Sequence, residues 1–341
     1  MNQAVHLSHE VTMIEAINLA LHRAMSEHPD VVVLGEDVAV NGGVFRATDQ
    51  LRARYGIKRV MDTPLAETLI AGVTVGMAAQ GLRPVAEIQF MGFIYATMEQ
   101  IVSHAARLRN RTRGRLHCPM VIRAPFGGGI HAPEHHSEST EALFAHVPGL
   151  RVVIPSSPAR AYGLLLAAIR NNDPVIFLEP KRIYRSSKSV VVDDGKALPL
   201  DTSFVLRRGK DITLISWGAS IKETMEAAAK LGEQGVDAEV IDVASVSPID
   251  YQPMLESLEK TGRCLIVHEA ARHCGVGAEI AATLQERAFP YLAQPISRVT
   301  GYDTIMPYFK NEMHYLPDVN RIVELAQGMV SASREVQHET V

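Results

Sequence analysis

Short, wholly apolar runs alternate along the chain with longer stretches whose apolar residues recur every three or four positions. The runs predict strands buried on both faces, and the longer stretches predict amphipathic helices. The predicted strands cover residues 31–34, 83–90, 120–123, 150–155, 175–178, 212–216, 238–242, 263–267 and 296–299. The predicted helices cover residues 12–26, a stretch that starts near Asp62, and residues 93–109, 139–144, 158–170, 221–231, 249–259, 277–287 and 319–329. This alternation predicts an α/β fold with largely parallel sheets flanked by helices.

A polar segment that contains proline and glycine interrupts the alternation once. We therefore predict a first α/β domain over residues 1–190, an exposed linker over residues 191–204 and a second α/β domain over residues 205–330. Residues 331–341, with the sequence SASREVQHETV, are predicted to form a frayed tail.

Composition narrows the class of protein. The 341 residues carry a net charge of −4, and 21% of them are charged, which gives no support to a nucleic-acid partner. Three cysteines are too few for a disulfide framework, so we expect a reducing compartment. The first residues lack a signal-peptide pattern, and no apolar run approaches the roughly 18 residues that a membrane span needs. These features predict a cytoplasmic protein with no membrane partner.

Glu67 is the only acidic residue between Asp62 and Glu87, in a stretch rich in apolar side chains. Asp62, Thr63 and Pro64 have the order expected at the start of a helix, with Glu67 about one turn further on. Such a carboxylate needs a raised pKa or a dedicated partner. Alternatively, it faces water and interacts with the positive end of the helix. Several residues of this helix are small enough for another backbone to approach closely: Ala66, Ala71, Gly72, Gly76, Ala78 and Ala79.

A second candidate site follows the predicted strand that ends at residue 123. Three consecutive glycines, residues 127–129, precede His131, His135 and His136. Loops at the carboxyl ends of parallel strands carry the chemistry of open α/β sheets, and histidine is the natural proton carrier near neutral pH. These histidines could instead be solvated, or His131 and His136 could bind a metal with Glu134. We favour proton transfer, because no spaced cysteines or HExxH helix supports a metal.

His268, His273 and Cys274 form a third cluster, and Cys264 lies just before it. A metal or redox site is one interpretation. We favour the other, in which Cys264 belongs to a buried strand, the remaining three residues lie in a loop that leads into a helix, and Trp217 serves packing.

Several long motifs together resemble one known family. They are GEDVAVNGGVFRAT, DTPLAE, EIQFMGFIYATMEQ, IRAPFGGGIHAPEHHSES, VVIPSSPARAYGLLLAAIRNNDPVIFLEPKRIYR and DVASVSPID. The chain is similar to the β subunits of the thiamine-diphosphate-dependent 2-oxoacid dehydrogenases, the decarboxylating first components, from about residue 12 to about residue 325. The resemblance implies a transketolase-like fold, with a pyrimidine-binding domain followed by a transketolase C-terminal domain.

The resemblance also implies roles for individual residues. Glu67 matches the glutamate that activates the cofactor by a hydrogen bond to N1′ of its aminopyrimidine ring. Phe93 matches the aromatic residue that stacks on this ring, and Gln89 and Leu65 match neighbouring contacts with the cofactor. A dry site would strengthen a hydrogen bond to Glu67, which agrees with the apolar residues around it.

The family supplies catalytic histidines and a possible cation site as well. His136 matches the active-site histidine that acts during acyl transfer to the lipoyl group, and His131 matches a second active-site histidine. The segment that contains Ala168, Asn171 and Asp173 matches a segment that binds potassium in some members of the family.

One family motif has no match, because the sequence contains no Gly-Asp-Gly. Magnesium needs oxygen ligands, so the resemblance implies that an α subunit holds magnesium and the diphosphate in a heterotetramer of two α and two β subunits. The implied activity is oxidative decarboxylation of pyruvate, with acetyl transfer to a lipoyl group. The acyltransferase core would dock through its subunit-binding and lipoyl domains. Branched-chain members, which act on 2-oxoisovalerate, are the next closest in motif, and a non-catalytic scaffold that docks the core is the remaining alternative.

Overall fold

The structure is a computed structural model that describes the backbone of residues 8–338 and the side chains of residues 8–331. The α-helices in this range are α1 Met13–Glu27, α2 Leu51–Tyr55, α3 Glu67–Ala79, α4 Leu108–Arg111, α5 Glu141–Ala145, α6 Pro158–Arg170, α7 Ser220–Glu233, α8 Gln252–Thr261, α9 Val276–Ala288, α10 Glu312–Tyr315 and α11 Val319–His338. Short 3₁₀-helices cover Met91–Thr97, Glu134–His136, Lys181–Ile183 and Phe289–Tyr291, and Gln100–Ala105 is a π-helix.

The strands form two main sheets and one small antiparallel pair. They are β1 Ser8–Val11, β2 Val31–Gly35, β3 Val60–Asp62, β4 Arg83–Glu87, β5 Val121–Phe126, β6 Arg151–Val153, β7 Val175–Pro180, β8 Ser189–Val192, β9 Phe204–Arg207, β10 Ile212–Ser216, β11 Ala238–Asp242, β12 Ser245–Ser247, β13 Cys264–His268 and β14 Ser297–Thr300. The first sheet has the order β12-β6-β7-β5-β4-β2-β3, and the second has the order β14-β13-β10-β11-β9. The prediction of two α/β units with largely parallel sheets is confirmed.

The central strands of both sheets are buried throughout, as their apolar runs predict. A buried polar network joins three neighbouring strands near their carboxyl ends. Arg123 on β5 donates to Glu87 at 2.8 Å and to Glu179 on β7 at 2.6 Å, and Tyr184 also donates to Glu179 at 2.6 Å. Because both carboxylates accept from the one guanidinium group, part of the cost of burial is offset, and the ends of these strands are fixed in relation to one another.

The prediction of one long helix over residues 93–109 is wrong. The chain forms the 3₁₀-helix Met91–Thr97, a π-helix and then α4. The cause is a tertiary contact that sequence periodicity cannot show. Gly92 lies so close to the carbonyl group of His135 that a Cβ atom at residue 92 would be 2.0 Å from that oxygen. The segment is thus held against the loop of residues 127–138.

The expected start of α3 is also wrong, because the helix begins at Glu67 with Ala66 at its cap position. Asp62 instead ends β3, and its carboxylate accepts hydrogen bonds from the backbone of Ala39 at 2.7 Å and Val40 at 3.2 Å. That carboxylate closes the turn after β2, so it is unavailable as a helix cap.

The boundary between the two predicted domains is not a single linker, because strands cross it. Strand β8 spans residue 190 and pairs with β1, while β12, from the second half of the chain, joins the edge of the first sheet. Helix α11 continues to His338, although the sequence analysis ends it at residue 329 and predicts a frayed tail from residue 331. No proline or glycine interrupts residues 331–338, so nothing in the backbone chemistry stops the helix there. Residues 339–341 of the predicted tail lie outside the described residues.

Candidate active site

The candidate site lies where neighbouring parallel strands of the first sheet end. Glu36 and Asp37 directly follow β2, and Gln89 follows β4, which pairs with β2. The side-chain amide of Gln89 donates to the Asp37 carboxylate at 3.2 Å. Carboxyl ends of adjacent parallel strands are where α/β folds assemble polar groups for chemistry.

A pair of carboxylates lies at this edge. Glu67 is half-buried at the start of α3, and Glu36 is 7% exposed. Burial raises the pKa of Glu36, and the nearby charges of Glu67 and Asp37 raise that pKa further. Oε1 of Glu36 has no hydrogen-bond partner among the described residues. Glu36 is thus a buried, unsatisfied acceptor within electrostatic range of Glu67.

Sequence reasoning missed Glu36. The available signal was its position, because GED directly follows a wholly apolar strand. An acidic residue directly after a buried parallel strand lies at the edge of the sheet where active sites form. An acidic residue elsewhere on the surface does not indicate an active site.

Aromatic rings line the next part of the site. Phe90 and Phe93, from the 3₁₀-helix Met91–Thr97 and the residue before it, contact the imidazole of His136 with ring centroids 4.1 Å and 5.4 Å away. The ring centroid of His135 lies 4.2 Å from that of His136 and 5.6 Å from that of Phe93. The structure thus brings the predicted Phe93 and His136 together, and it adds Phe90, which sequence reasoning did not single out.

The environment of His136 favours its neutral form. Burial lowers the pKa of His136, and positive charge at His135 and Lys181 lowers it further, while Glu134 acts in the opposite direction. Its Nδ1 atom is buried and has no partner among the described residues. A neutral imidazole with a free ring nitrogen can act as a general base near pH 7.

A direct contact connects the carboxylates with the aromatic rings. Thr68, the neighbour of Glu67 on α3, donates its hydroxyl group to the carbonyl of Ala96 at 2.7 Å. The first turn of α3 therefore packs against the 3₁₀-helix that carries Phe93. Glu67 and His136 consequently belong to two elements that both contact the 3₁₀-helix of Phe93.

The contacts found for Glu67, Phe93 and His136 do not include two other predicted site residues, His131 and Leu65. The Nδ1 atom of His131 is 2.9 Å from the Glu312 carboxylate, and its ring is 4.4 Å from that of Phe309. Leu65 is 83% exposed in the turn before α3. Their predicted contacts with the cofactor or substrate stay predictions.

The segment predicted to bind potassium is already occupied by protein cations. Arg83 donates to the carbonyl groups of Ile169 and Asn171 at 3.0 and 2.9 Å, and the carbonyl of Ala168 accepts from the backbone of Asn171 at 3.2 Å. The Asp173 carboxylate lies 3.2 Å from the guanidinium groups of both Arg109 and Arg151.

No described group of three histidine, cysteine, aspartate or glutamate side chains is arranged to hold a metal ion. Cys264 is buried in β13, and His268 ends that strand with its ring stacked on Trp217 at 5.0 Å. The burial of Cys264 and the stacking of Trp217 agree with the packing interpretation, but the expected loop position of His268 is wrong, because His268 still pairs with Thr300 of β14. In residues 8–338 no helix is both long enough and apolar enough to cross a membrane.

Comparison with known families defines the class of protein. Residues 9–187 match the family model described as the transketolase pyrimidine-binding domain, and residues 202–322 match the transketolase C-terminal domain. A solved split-gene transketolase, described as an inactive β4 tetramer, superposes with a TM-score of 0.78 at 24% identity, over 95% of this chain and 99% of that one. The fold is therefore that of the transketolases.

Curated relatives narrow the class to one family. The chain is 46% identical to the pyruvate dehydrogenase E1 component subunit beta of Staphylococcus epidermidis, over 94% of this chain and 98% of that protein. It is 45% identical to the protein of the same name from Acholeplasma laidlawii, with the same coverage, and 46% identical to that of Staphylococcus aureus. The chain belongs to the family of pyruvate dehydrogenase E1 β subunits. The predicted family, fold class and enzyme class are confirmed.

Proposed function

We propose that this chain is the β subunit of a pyruvate dehydrogenase first component. With an α subunit, it carries out thiamine-diphosphate-dependent oxidative decarboxylation of pyruvate and transfer of the acetyl group to a lipoyl group. The observation that carries the proposal is the assembly of Glu67, Phe93 and His136 on contacting elements of a chain that is 46% identical to such subunits over 94% of its length.

The residues present fit the aminopyrimidine end of thiamine diphosphate. Glu36 offers a buried oxygen without a partner, Glu67 offers a half-buried carboxylate beside it, and Phe90 and Phe93 offer apolar ring faces. An aromatic heterocycle with ring nitrogens needs this combination of a flat apolar wall and hydrogen-bonding carboxylates. Gln89 and Leu65 lie on the adjoining segments and are proposed as further contacts.

Each side chain then has a defined task. When bound, thiamine diphosphate supplies the carbon nucleophile and the electron sink that decarboxylation of a 2-oxoacid requires. Glu67 would hold the ring by a charge-assisted hydrogen bond to its carboxylate, which is strong where water is excluded. His136 would accept and return a proton during acyl transfer, because its lowered pKa keeps the imidazole neutral. His131, whose Nδ1 atom contacts Glu312, is proposed as a second catalytic histidine.

An α subunit would complete the site. The sequence contains no Gly-Asp-Gly motif, so we assign magnesium and the diphosphate group to the partner. Helix α3 offers a surface for this partner. Leu69 and Val73 are 44% and 40% exposed, and a Cβ atom at Gly76 would meet nothing within 4 Å. A second helix can therefore approach the backbone of α3 closely in a heterotetramer of two α and two β subunits.

The remaining assignments rest on the same relatives. We propose that the complex acts in the cytoplasm and transfers acetyl groups to the lipoyl domain of an acyltransferase core, which holds it by a subunit-binding domain. Potassium at Ala168, Asn171 and Asp173 stays a prediction. Arg83, Arg109 and Arg151 already provide positive charge in that segment, so we leave potassium out of the proposed cofactors.

The experiment that tests the proposal is reconstitution. The chain is co-expressed with the α subunit of its own organism, and decarboxylation of pyruvate and of 2-oxoisovalerate is measured in parallel, with the β chain alone as the control. We expect no steady turnover by the β chain alone and a higher kcat/KM for pyruvate in the complex. A steady rate without α would refute the shared site, and a preference for 2-oxoisovalerate would assign the chain to the branched-chain enzymes.

A further inference from the structure

The loop that carries the histidines is held from outside its own domain. Glu312, the first residue of α10, is 1% exposed and directs both carboxylate oxygens at this loop. Oε1 accepts from the backbone N–H of Gly129 at 2.6 Å, and Oε2 accepts from the backbone N–H of His131 at 2.7 Å. The Nδ1 atom of His131 lies 2.9 Å from the same Oε2. One buried carboxylate therefore contacts three nitrogen atoms of a three-residue stretch.

Glu269 makes a second attachment from the same domain. Its Oε1 atom accepts from the backbone N–H of Gly128 and from the hydroxyl group of Ser139, both at 2.9 Å. A Cβ atom at Gly127, which has a φ of +79°, would lie 2.1 Å from this Oε1. The glycines are thus needed for the close approach of the carboxylate as well as for the turn.

One buried cation lies within electrostatic range of these carboxylates. Lys181 is 3% exposed, and its ammonium group has no hydrogen-bond partner among the described residues. Burial lowers the pKa of Lys181 to about 8, and the charges of Glu269 and Glu312 oppose that shift. The ammonium group also lies within electrostatic range of His136. The charge of Lys181 therefore acts both on the carboxylates that hold the loop and on the reacting histidine.

We propose that Glu312 is a positioning residue for acyl transfer. It fixes the backbone of residues 129–131, and through the short connection to the 3₁₀-helix Glu134–His136 it holds His136 against Phe90 and Phe93. Glu269 fixes the two ends of the same loop. The second domain thereby acts on the chemistry of the first, without contributing a group to the reacting atoms. This inference rests on the proposed function of His136.

The test uses Glu312→Gln in the reconstituted complex. Because both oxygens of Glu312 accept from N–H groups, the amide NH₂ of glutamine must face a donor, which breaks one side of the attachment. Displacement of a catalytic group by about 1 Å can cost about 100-fold in rate. We expect acetyl transfer to a free lipoyl domain to fall 10- to 100-fold, and decarboxylation with an artificial electron acceptor to change less than about threefold.

Two further measurements make the result specific. Backbone hydrogen exchange in residues 127–139 should become faster in the variant, which is a readout independent of turnover. The control is Glu239→Gln, because Glu239 is also 1% exposed and accepts from a backbone N–H and a lysine, but within the second domain. This control should leave both half-reactions and the exchange of residues 127–139 unchanged.

Equal loss of both half-reactions, or unchanged exchange of the loop, would overturn the proposal. If the Glu312→Gln chain does not assemble with α, Glu312→Asp is measured instead. Aspartate keeps the charge but is shorter by one methylene, so it must give the same selective loss in a milder form. A wild-type complex that does not decarboxylate pyruvate would refute the proposed function, whereas the hydrogen-exchange comparison would still decide whether Glu312 holds the loop.

Discussion

The imidazole ring of His136 lies 4.1 Å from the phenyl ring of Phe90, with an angle of 60° between the two planes. Phe90 follows β4, and His136 lies in the loop after β5, so the contact joins the ends of two neighbouring parallel strands. It buries the imidazole, which lowers the pKa of His136 and keeps the ring neutral at the pH at which it must accept a proton.

Glu67→Gln tests whether the carboxylate of residue 67 takes part in proton transfer. The change keeps the shape of the side chain but removes its capacity to share a proton with the bound ring. In the reconstituted complex we expect kcat for pyruvate decarboxylation to fall by about 10²- to 10⁴-fold, with assembly and secondary structure unchanged. Steady-state kinetics with an artificial electron acceptor measure the effect.

The matched control is Glu286→Gln, at an exposed position on α9. It removes the same charge far from the site and should leave kcat unchanged. A Glu67→Gln complex that keeps the wild-type rate would contradict a catalytic role for the carboxylate and favour the scaffold hypothesis.

Gly76→Leu tests the proposed contact of α3 with the α subunit. A Cβ atom at this exposed helical position meets nothing in the chain, and leucine favours helix over glycine by roughly 0.8 kcal/mol. We therefore expect the isolated chain to keep or raise its melting temperature, while the larger side chain prevents close helix packing and co-purification with α is lost. Size-exclusion chromatography of the co-expressed pair gives the result.

Gly328→Leu is the control for that experiment. Gly328 is also exposed, lies within α11 and likewise has no neighbour within 4 Å of a Cβ atom. If assembly survives Gly76→Leu, or fails equally in Gly328→Leu, then the exposed face of α3 is not the specific contact that we propose.

The periodicity of apolar residues was sufficient to predict those helices and strands whose burial follows the local sequence pattern. The bounds of α6, β10 and β11 agree with prediction to the residue, because these elements lie in continuous apolar or amphipathic patterns with clear breaks at both ends. The segment from Phe93 onward has an equally clear helical pattern, but its backbone is set by the contact between Gly92 and His135. A contact across more than forty positions leaves no periodic signal in the sequence.

The same limit applies to the site. The family motifs predict Glu67, Phe93 and His136 as site residues, and in the structure the elements of Glu67 and His136 both contact that of Phe93. The attachment of His131 to Glu312 joins residues far apart in the chain. Nothing local marks Glu312 as a partner of the glycine loop, so only the folded arrangement of the two domains shows it.

Glu141→Gln is expected to stabilise the chain at alkaline pH. Glu141 is fully buried, its Oε1 accepts from the indole N–H of Trp217 at 3.3 Å, and burial raises the pKa of Glu141 from 4.5 to about 7. The folded state therefore binds the proton more tightly than the unfolded state, so stability falls as the pH rises from about 4.5 to about 7. Glutamine is neutral throughout, and the gain at pH 8 should be on the order of 3 kcal/mol at most.

Melting temperatures at pH 5 and pH 8 test this expectation. The advantage of Glu141→Gln over wild type should be small at pH 5 and largest at pH 8. Glu256→Gln, at an exposed position on α8, should show no such dependence on pH. An advantage that is equal at both values would mean that Glu141 is ionised in the folded protein.

His268→Phe should stabilise the folded chain at acid pH, because the pKa of His268 is shifted in the direction opposite to that of Glu141. His268 is fully buried, its two ring nitrogens have no partners among the described residues, and burial lowers the pKa of His268 from 6.5 to about 3. Between these values the unfolded state binds more protons, so stability is lost as the pH falls below about 6.5. Phenylalanine cannot be protonated and can keep the stacking on Trp217, so at pH 5 we expect a gain of about 2 kcal/mol.

The two buried groups flank the same indole ring, and their effects oppose each other between pH 4.5 and 6.5. Each single variant should therefore make the pH dependence caused by the other group easier to observe. Glu141→Gln should lose melting temperature more steeply than wild type as the pH falls through this range, and His268→Phe should lose it more steeply as the pH rises. Because the two contributions cancel in wild type, the double variant should run nearly parallel to it, as should His314→Phe, at an exposed position. A His268→Phe curve parallel to that of wild type would show that His268 is protonated in the folded chain as readily as in the unfolded chain.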